Sequence, residues 1–291
     1  MTPPVDYSPL IFPIPPASIR AFLGDSGVSL ERWGDTPEIG EATLRYLNFA
    51  RANGLTFTTR KDRPDYPGMF FKVGRSVFAF NILRSTSDPF LEIGNLDVRD
   101  VSGEPEGVGY LALRLDRKLP HIVLDSRQNN GVFGTPIAAA TNLPEFLDRS
   151  QVLSLEGDFD KYFTLYCPKA YERDALYLFT PDLMALLIDN AAPFDVEIVD
   201  DWMFVYSTQH FDSLRPQAFL RLFTIRDTVH RKALKQSALY SDERVGSFAA
   251  NVIASPGKRL KPGILASVIV VLVIVLTIPV MAIVTFWIAD R

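Results

Sequence analysis

Hydrophobic and polar positions along this chain change their period from segment to segment, and each change marks a predicted element. Residues 39–53 (IGEATLRYLNFARAN) place Leu44, Leu47 and Ala50 on one helical face and are followed by Gly54, the pattern of an amphipathic helix closed by a glycine. The runs then shorten. Residues 56–58, 69–73, 76–83 and 89–98 are aromatic or β-branched, and Pro64, Pro67, Gly68, Gly74 and Asp88 punctuate them, which predicts a strand meander. Two further strands are expected at 109–115 and 120–124, on either side of the charged Asp116, Arg117 and Lys118. The first of these does not alternate cleanly and so reads as buried on both faces.

Residues 126–150 read as an irregular excursion with a turn signal at Asn129, Asn130 and Gly131. Strands are expected at 152–155 and 162–166 around Gly157 and Asp158, then helices at 172–179 and 181–190, with Thr180 and Pro181 as cap and first helical residue. Residues 194–199 and 202–207 predict a strand pair turning at Asp200 and Asp201. Phe219, Leu222, Phe223, Val229 and Ala233 mark one face of a long helix over 216–237. Helix, meander, then strand–helix–strand predicts an α+β domain with a mainly antiparallel sheet and flanking helices; nothing alternates in the manner of a parallel doubly wound sheet.

All periodicity disappears at the end. Residues 264–288 (ILASVIVVLVIVLTIPVMAIVTFWI) are apolar and uncharged throughout. At 1.5 Å per residue such a helix is roughly 37 Å long, enough to cross a hydrocarbon core of about 30 Å with some tilt. A buried core helix of that length would show a polar face, and none is present. The organisation expected is therefore a proline-rich flexible arm (1–17), a soluble α+β domain (18–240), a linker with a basic flank (241–263), a C-terminal transmembrane helix (264–288) and a short tail (289–291). Lys258, Arg259 and Lys261 precede the span, whereas Asp290 and Arg291 after it cancel. By the positive-inside rule the large domain faces the cytoplasm in a single-pass, tail-anchored arrangement, with the lipid bilayer as a partner. The opening MTPPVDYSPLIFPIPP has no basic region and is broken by prolines, so it does not read as a secretory signal. Cys167 is the lone cysteine, so no intramolecular disulfide can form.

Without the span and tail, 29 basic residues face 33 acidic ones, and the domain has no basic face for phosphate backbones. Nucleic acid is not expected as a partner. No phosphate-binding loop, dinucleotide fingerprint or nucleophile elbow occurs, and His121, His210 and His230 have no metal-ligand spacing, so no cofactor is implied. His121 reads as the start of a strand and His230 as part of a solvated helix face. The dense carboxylate cluster is Asp195, Glu197, Asp200 and Asp201. On a strand, Asp195 and Glu197 share one side and could hold a divalent cation or act as an acid–base pair. The plainer reading makes them the solvent side of a half-buried strand, with Phe194, Val196 and Ile198 inward.

Two blocks carry a resemblance. TLRYLNFARANGLTF, MFFKVGRSVFAFNIL, FLEIGNLDV and LALRLDRKLPHIVL form one, and LEGDFDKYFTLYCPKAYERDALYLFTPDLMALLIDN the other. Over residues 43–207 the chain resembles an uncharacterised family of bacterial, often actinobacterial, membrane-anchored proteins. The resemblance implies a bacterial source and membrane association, and implies no activity. The expected role is a binding or scaffold module at the bacterial membrane with an unidentified protein partner. The alternatives are a membrane-bound metal-dependent hydrolase using the acidic cluster, or a single-span subunit of an envelope or transport complex.

Overall fold

The computed structural model describes residues 4–25, 37–74, 76–99, 105–130, 141–246 and 251–263. Two helices, α1 (Ser8–Ile11) and α2 (Pro16–Asp25), come first, followed by α3 (Pro37–Ala52). The described part of the proline-rich opening segment packs on α3. Leu10 is buried, and Arg45 on α3 donates through Nη1 to the Leu10 and Phe12 carbonyls at 2.9 and 3.1 Å. A guanidinium that satisfies several carbonyls seats a proline-rich segment that cannot form a ladder of its own. Gly54 then ends α3 at φ +64°, the left-handed conformation that glycine adopts without strain.

Strands β1 (Leu55–Asp62), β2 (Ser76–Ser85) and β3 (Leu91–Arg99) form the expected antiparallel meander. Residues 69–73 are not a strand. They hold a single 3-10 turn, Met69–Phe71, whose three side chains are buried; the aromatic content serves packing on the sheet rather than pairing within it. The two strands expected on either side of Asp116, Arg117 and Lys118 are one strand, β4 (Pro105–Ser126), of 22 residues.

After the excursion come β5 (Val152–Leu153), α4 (Phe159–Tyr162), β6 (Phe163–Tyr166), α5 (Glu172–Leu178), α6 (Pro181–Ala191) and β7 (Asp195–Ser207). The hairpin expected at Asp200 and Asp201 is likewise absent, because β7 continues through both residues as one strand paired with β4 from Leu124 to Gly109. Arg114 pairs with Trp202 and Leu119 with Asp200, so residues 115–118 of β4 bulge opposite Asp201 alone. Asp200 takes φ +53° there, Arg114 meets Asp201 at 2.5 Å, and the Arg114 guanidinium lies 4.5 Å from the Trp202 ring centroid. Charges that read as turn signals are accommodated by a bulge, which bends a ladder without ending it. The long helix is present as α7 (Pro216–Ile225), a π-helical turn Arg226–His230, and α8 (Arg231–Ser237).

The described strands make one seven-stranded antiparallel sheet in the order β1-β2-β3-β4-β6-β5, with β7 on the other side of β4. One face carries Leu83, Ile93, Leu111, Leu113 and Val205 under Phe49, Phe219 and Phe223 of the helices. The opposite face is also buried: Tyr110, Phe204 and Tyr206 lie beneath Tyr66, Phe70, Phe71, Leu143, Leu147 and Leu260. Along β7 the rings of Trp202, Phe204 and Tyr206 stack at 5.8 Å spacing, each contact worth about 0.5–1.5 kcal/mol beyond area burial. The α+β class with an antiparallel sheet and flanking helices is as the pattern predicted. Among the described residues no helix is long and apolar enough to cross a membrane. The span expected at 264–288 and its tail lie outside the described residues.

Candidate functional site

The second buried face changes the meaning of the acidic cluster. Asp195 and Glu197, read as the solvent side of β7, are 2% and 1% exposed. Alternation along β7 is real, but the turn at Met69–Phe71 and the C-terminal segment cover the side that a strand pattern assigns to water. Glu197 Oε2 accepts from the Met69 backbone N–H and the Tyr206 hydroxyl, both at 2.8 Å, and Oε1 lies 2.9 Å from His121 Nε2. On the other side of that ring, His121 Nδ1 accepts from the Leu260 N–H at 3.0 Å. An accepting Nδ1 places the ring proton on Nε2, so neutral His121 donates to Glu197. The histidine expected at a strand start thus bridges the core to the backbone of Leu260.

The segment that holds Leu260, residues 251–263, is a strap docked on the domain. The Lys118 N–H donates to Asn251 Oδ1 at 2.6 Å, and the Ala254 N–H donates to Asp242 Oδ2 at 2.9 Å. The same Asp242 oxygen accepts from the buried Tyr171 hydroxyl at 2.5 Å. Gly257 lies flat on the Tyr171 ring, where any Cβ would collide. Lys261 exchanges two 2.9 Å hydrogen bonds with the Gln151 amide, and the Gly263 N–H donates to the Phe146 carbonyl at 2.7 Å. Ile253 and Leu260 are buried. The stretch read as a loop-like tether is irregular in backbone but fastened at both ends. Its backbone polar groups find partners on the domain, as burial requires.

Lys258, Arg259 and Lys261 point outward from this strap and are exposed. Arg259 reaches Asp200 only at 3.4 Å and gives a shorter bond, 2.6 Å, to the Lys258 carbonyl. A groove of about 420 Å³ lies alongside, lined by Lys118, Asp200, Val252, Ile253, Lys258 and Arg259. Lys118 belongs to this site although nothing in its local sequence marks it. The bulge that carries it is visible only once β4 and β7 are paired.

The four acidic residues do not form one centre. Asp200 goes to Arg259 and Asp201 to Arg114. Asp195 accepts from the Ser126 N–H at 2.8 Å and from Asn129 Nδ2 at 3.0 Å. Burial raises the Asp195 carboxyl to about 7, with a smaller push from Asp125, while the Ser126 and Asn129 bonds oppose the rise. Asp125 is raised by burial as well and accepts from Asn130 Nδ2 at 2.7 Å. Asp195 also borders a cavity of about 320 Å³ with Phe70, Asn142, Tyr206 and Thr208. Among the described residues no group of three or more His, Cys, Asp or Glu is arranged to hold a metal ion.

His230, expected on a solvated face, is 2% exposed and bonds the Arg114 carbonyl at 2.8 Å; burial lowers its basicity. His210 sits 3.1 Å from Asp97. Burial drives the Cys167 thiol up to about 12, far from a reactive thiolate. Sequence reasoning also missed Glu92, fully buried between Arg84 at 2.5 Å and the Tyr110 hydroxyl at 2.6 Å. The register that places Arg84 opposite Glu92 is the signal that would have found it.

No protein-family model matches the chain, and no curated protein matches it. Among solved structures it is similar to the crystal structure of the mycobacterial trehalose monomycolate transport factor A, TtfA. The identity is 14% and the TM-score 0.43, over 69% of this chain and 96% of that one. A likeness this distant carries no argument about activity.

Proposed function

We propose that the chain is a membrane-apposed binding module, with residues 264–288 in the bilayer, the α+β domain on the cytoplasmic side, and a protein partner. The observation that supports this most is the docked strap. Its last described hydrogen bond is at Gly263, one residue before the apolar run begins. An element fastened that close to a span leaves little slack, so it presents one side of the domain to the membrane. Exposed Lys258, Arg259 and Lys261 on that side suit an anionic surface, at about 1 kcal/mol per cation.

The hydrolase reading loses its geometry, because Asp200 and Asp201 pair with separate arginines while both Glu197 oxygens are occupied by protein donors. The test is in-cell crosslinking after membrane fractionation, comparing the full chain with one ending at Gly263. The full chain is expected in carbonate-washed membranes, joined to one protein at near-equal stoichiometry, and the shorter chain in the supernatant without it. A full chain that washes off with the supernatant overturns the reading.

A further inference from the structure

The geometry points to the groove beside the strap as a binding site for a phosphate-bearing anion, with an anionic phospholipid headgroup as the source its position favours. Three cations, Lys118, Lys258 and Arg259, line it against one carboxylate, Asp200. Neither ammonium has an ion-pair partner among the described residues. Asp200 does not neutralise the third cation well, since its Oδ2 stands 3.4 and 3.5 Å from the two Arg259 terminal nitrogens. The guanidinium therefore keeps donors free for a better acceptor, and a planar fork flanked by two point cations matches the several oxygens of a phosphate group.

The convergence is built rather than incidental. Lys118 comes from the β4 bulge and the other two cations from the strap, and the 2.6 Å bond from the Lys118 N–H to Asn251 Oδ1 holds the two elements together. Asp200 in the groove and Asn251, which precedes its Val252, both take left-handed backbone conformations, at φ +53° and +61°. Non-glycine residues adopt that region sparingly, and Asn and Asp most readily. Val252 and Ile253 give the groove an apolar wall.

The preference for a lipid source rests on the membrane reading above. Arg259 precedes the apolar run by five residues, a reach of at most about 17 Å, which sets the groove near the headgroup layer. A soluble phosphate ester carries the same chemistry, so the test separates the two.

The full chain is reconstituted in nanodiscs of phosphatidylcholine with a minor fraction of phosphatidylglycerol, and native mass spectrometry counts the lipids that stay bound. In parallel, the detergent-solubilised chain is titrated with inorganic phosphate and followed by ³¹P line broadening. The variants are Lys118→Gln/Lys258→Gln, and Lys61→Gln/Lys161→Gln, on β1 and α4, as a control with the same change in net charge. The expected result is one retained phosphatidylglycerol per chain, weakened by about fivefold for each groove lysine removed and unaffected in the control. Phosphate binding that the groove variant abolishes, without lipid retention, keeps the site and assigns it to a soluble ester. Equal lipid retention in both variants together with no phosphate binding overturns the proposal. Failure to enter nanodiscs defeats the membrane reading alone, and the phosphate titration then decides the groove by itself.

Discussion

Thr180 shows how a residue can satisfy its sequence rule in position and not in chemistry. It precedes Pro181 at the start of α6 as an N-cap should, yet its side chain makes no capping bond and its hydroxyl is buried without a partner. A buried unpaired hydroxyl costs about 1–3 kcal/mol, so Thr180→Val is expected to leave stability unchanged or raise it by about 1 kcal/mol. Denaturant unfolding measures this directly, and a loss above about 1 kcal/mol would contradict it. Asp195 makes the opposite case, a titratable group held where its charge is unwelcome. Its native value of about 7 stands above the ordinary 3.8, so between those pH values the native state keeps a proton that the unfolded chain has released. Its contribution to stability is therefore greatest at low pH and falls as pH rises through that window. Asp195→Asn is expected to be more stabilising, relative to the natural chain, at pH 8 than at pH 5, by up to roughly 2.5 kcal/mol, since about two pH units of that window lie above pH 5. Melting at the two pH values checks this, and the same difference at both would contradict it. None of this was legible in the sequence. The alternation Phe194, Val196, Ile198 correctly located one face of β7, but a local pattern cannot show that Met69, 128 residues before Glu197, and Leu260, well after it, return to bury the other.

At the scale of elements, the strongly periodic segments were readable and the irregular ones were not. The helices over 39–53, 181–190 and 216–237 and the meander strands other than 69–73 emerged where hydrophobic spacing placed them, because each buries a regular stripe. Charged residues in mid-strand misled the reading in two places that turn out to be one. Asp116, Arg117 and Lys118 on β4 stand opposite Asp201 on β7, next to the Leu119–Asp200 pair, and the two interruptions share a single bulge. From the sequence each looks like a turn; only the pairing shows that neither strand ends. The strap had no signal of its own, since residues 251–263 contain neither a period nor a run of β-branched residues. Its attachments include hydrogen bonds from irregular backbone to His121, Asp242 and Phe146 and a reciprocal pair with Gln151, and no spacing rule anticipates such contacts.

The molecule as a whole is a sheet buried on both faces, with helices over one face and loops plus the strap over the other. That arrangement makes the route to the apolar C-terminal run part of the folded domain. The basic flank, Lys258, Arg259 and Lys261, was legible as a charge pattern, but its partner Lys118 and the groove they share became visible only in three dimensions. The account turns on the strap being fixed when the chain sits in a bilayer. Amide hydrogen exchange across residues 251–263, on the full chain in nanodiscs, tests that most directly. Protection comparable with the paired strands is expected at Leu260, Lys261 and Gly263, and His121→Ala should release Leu260 first by removing its acceptor. Exchange at the rate of an unstructured peptide across these residues would contradict a fixed strap, and with it the membrane-facing orientation proposed for the domain.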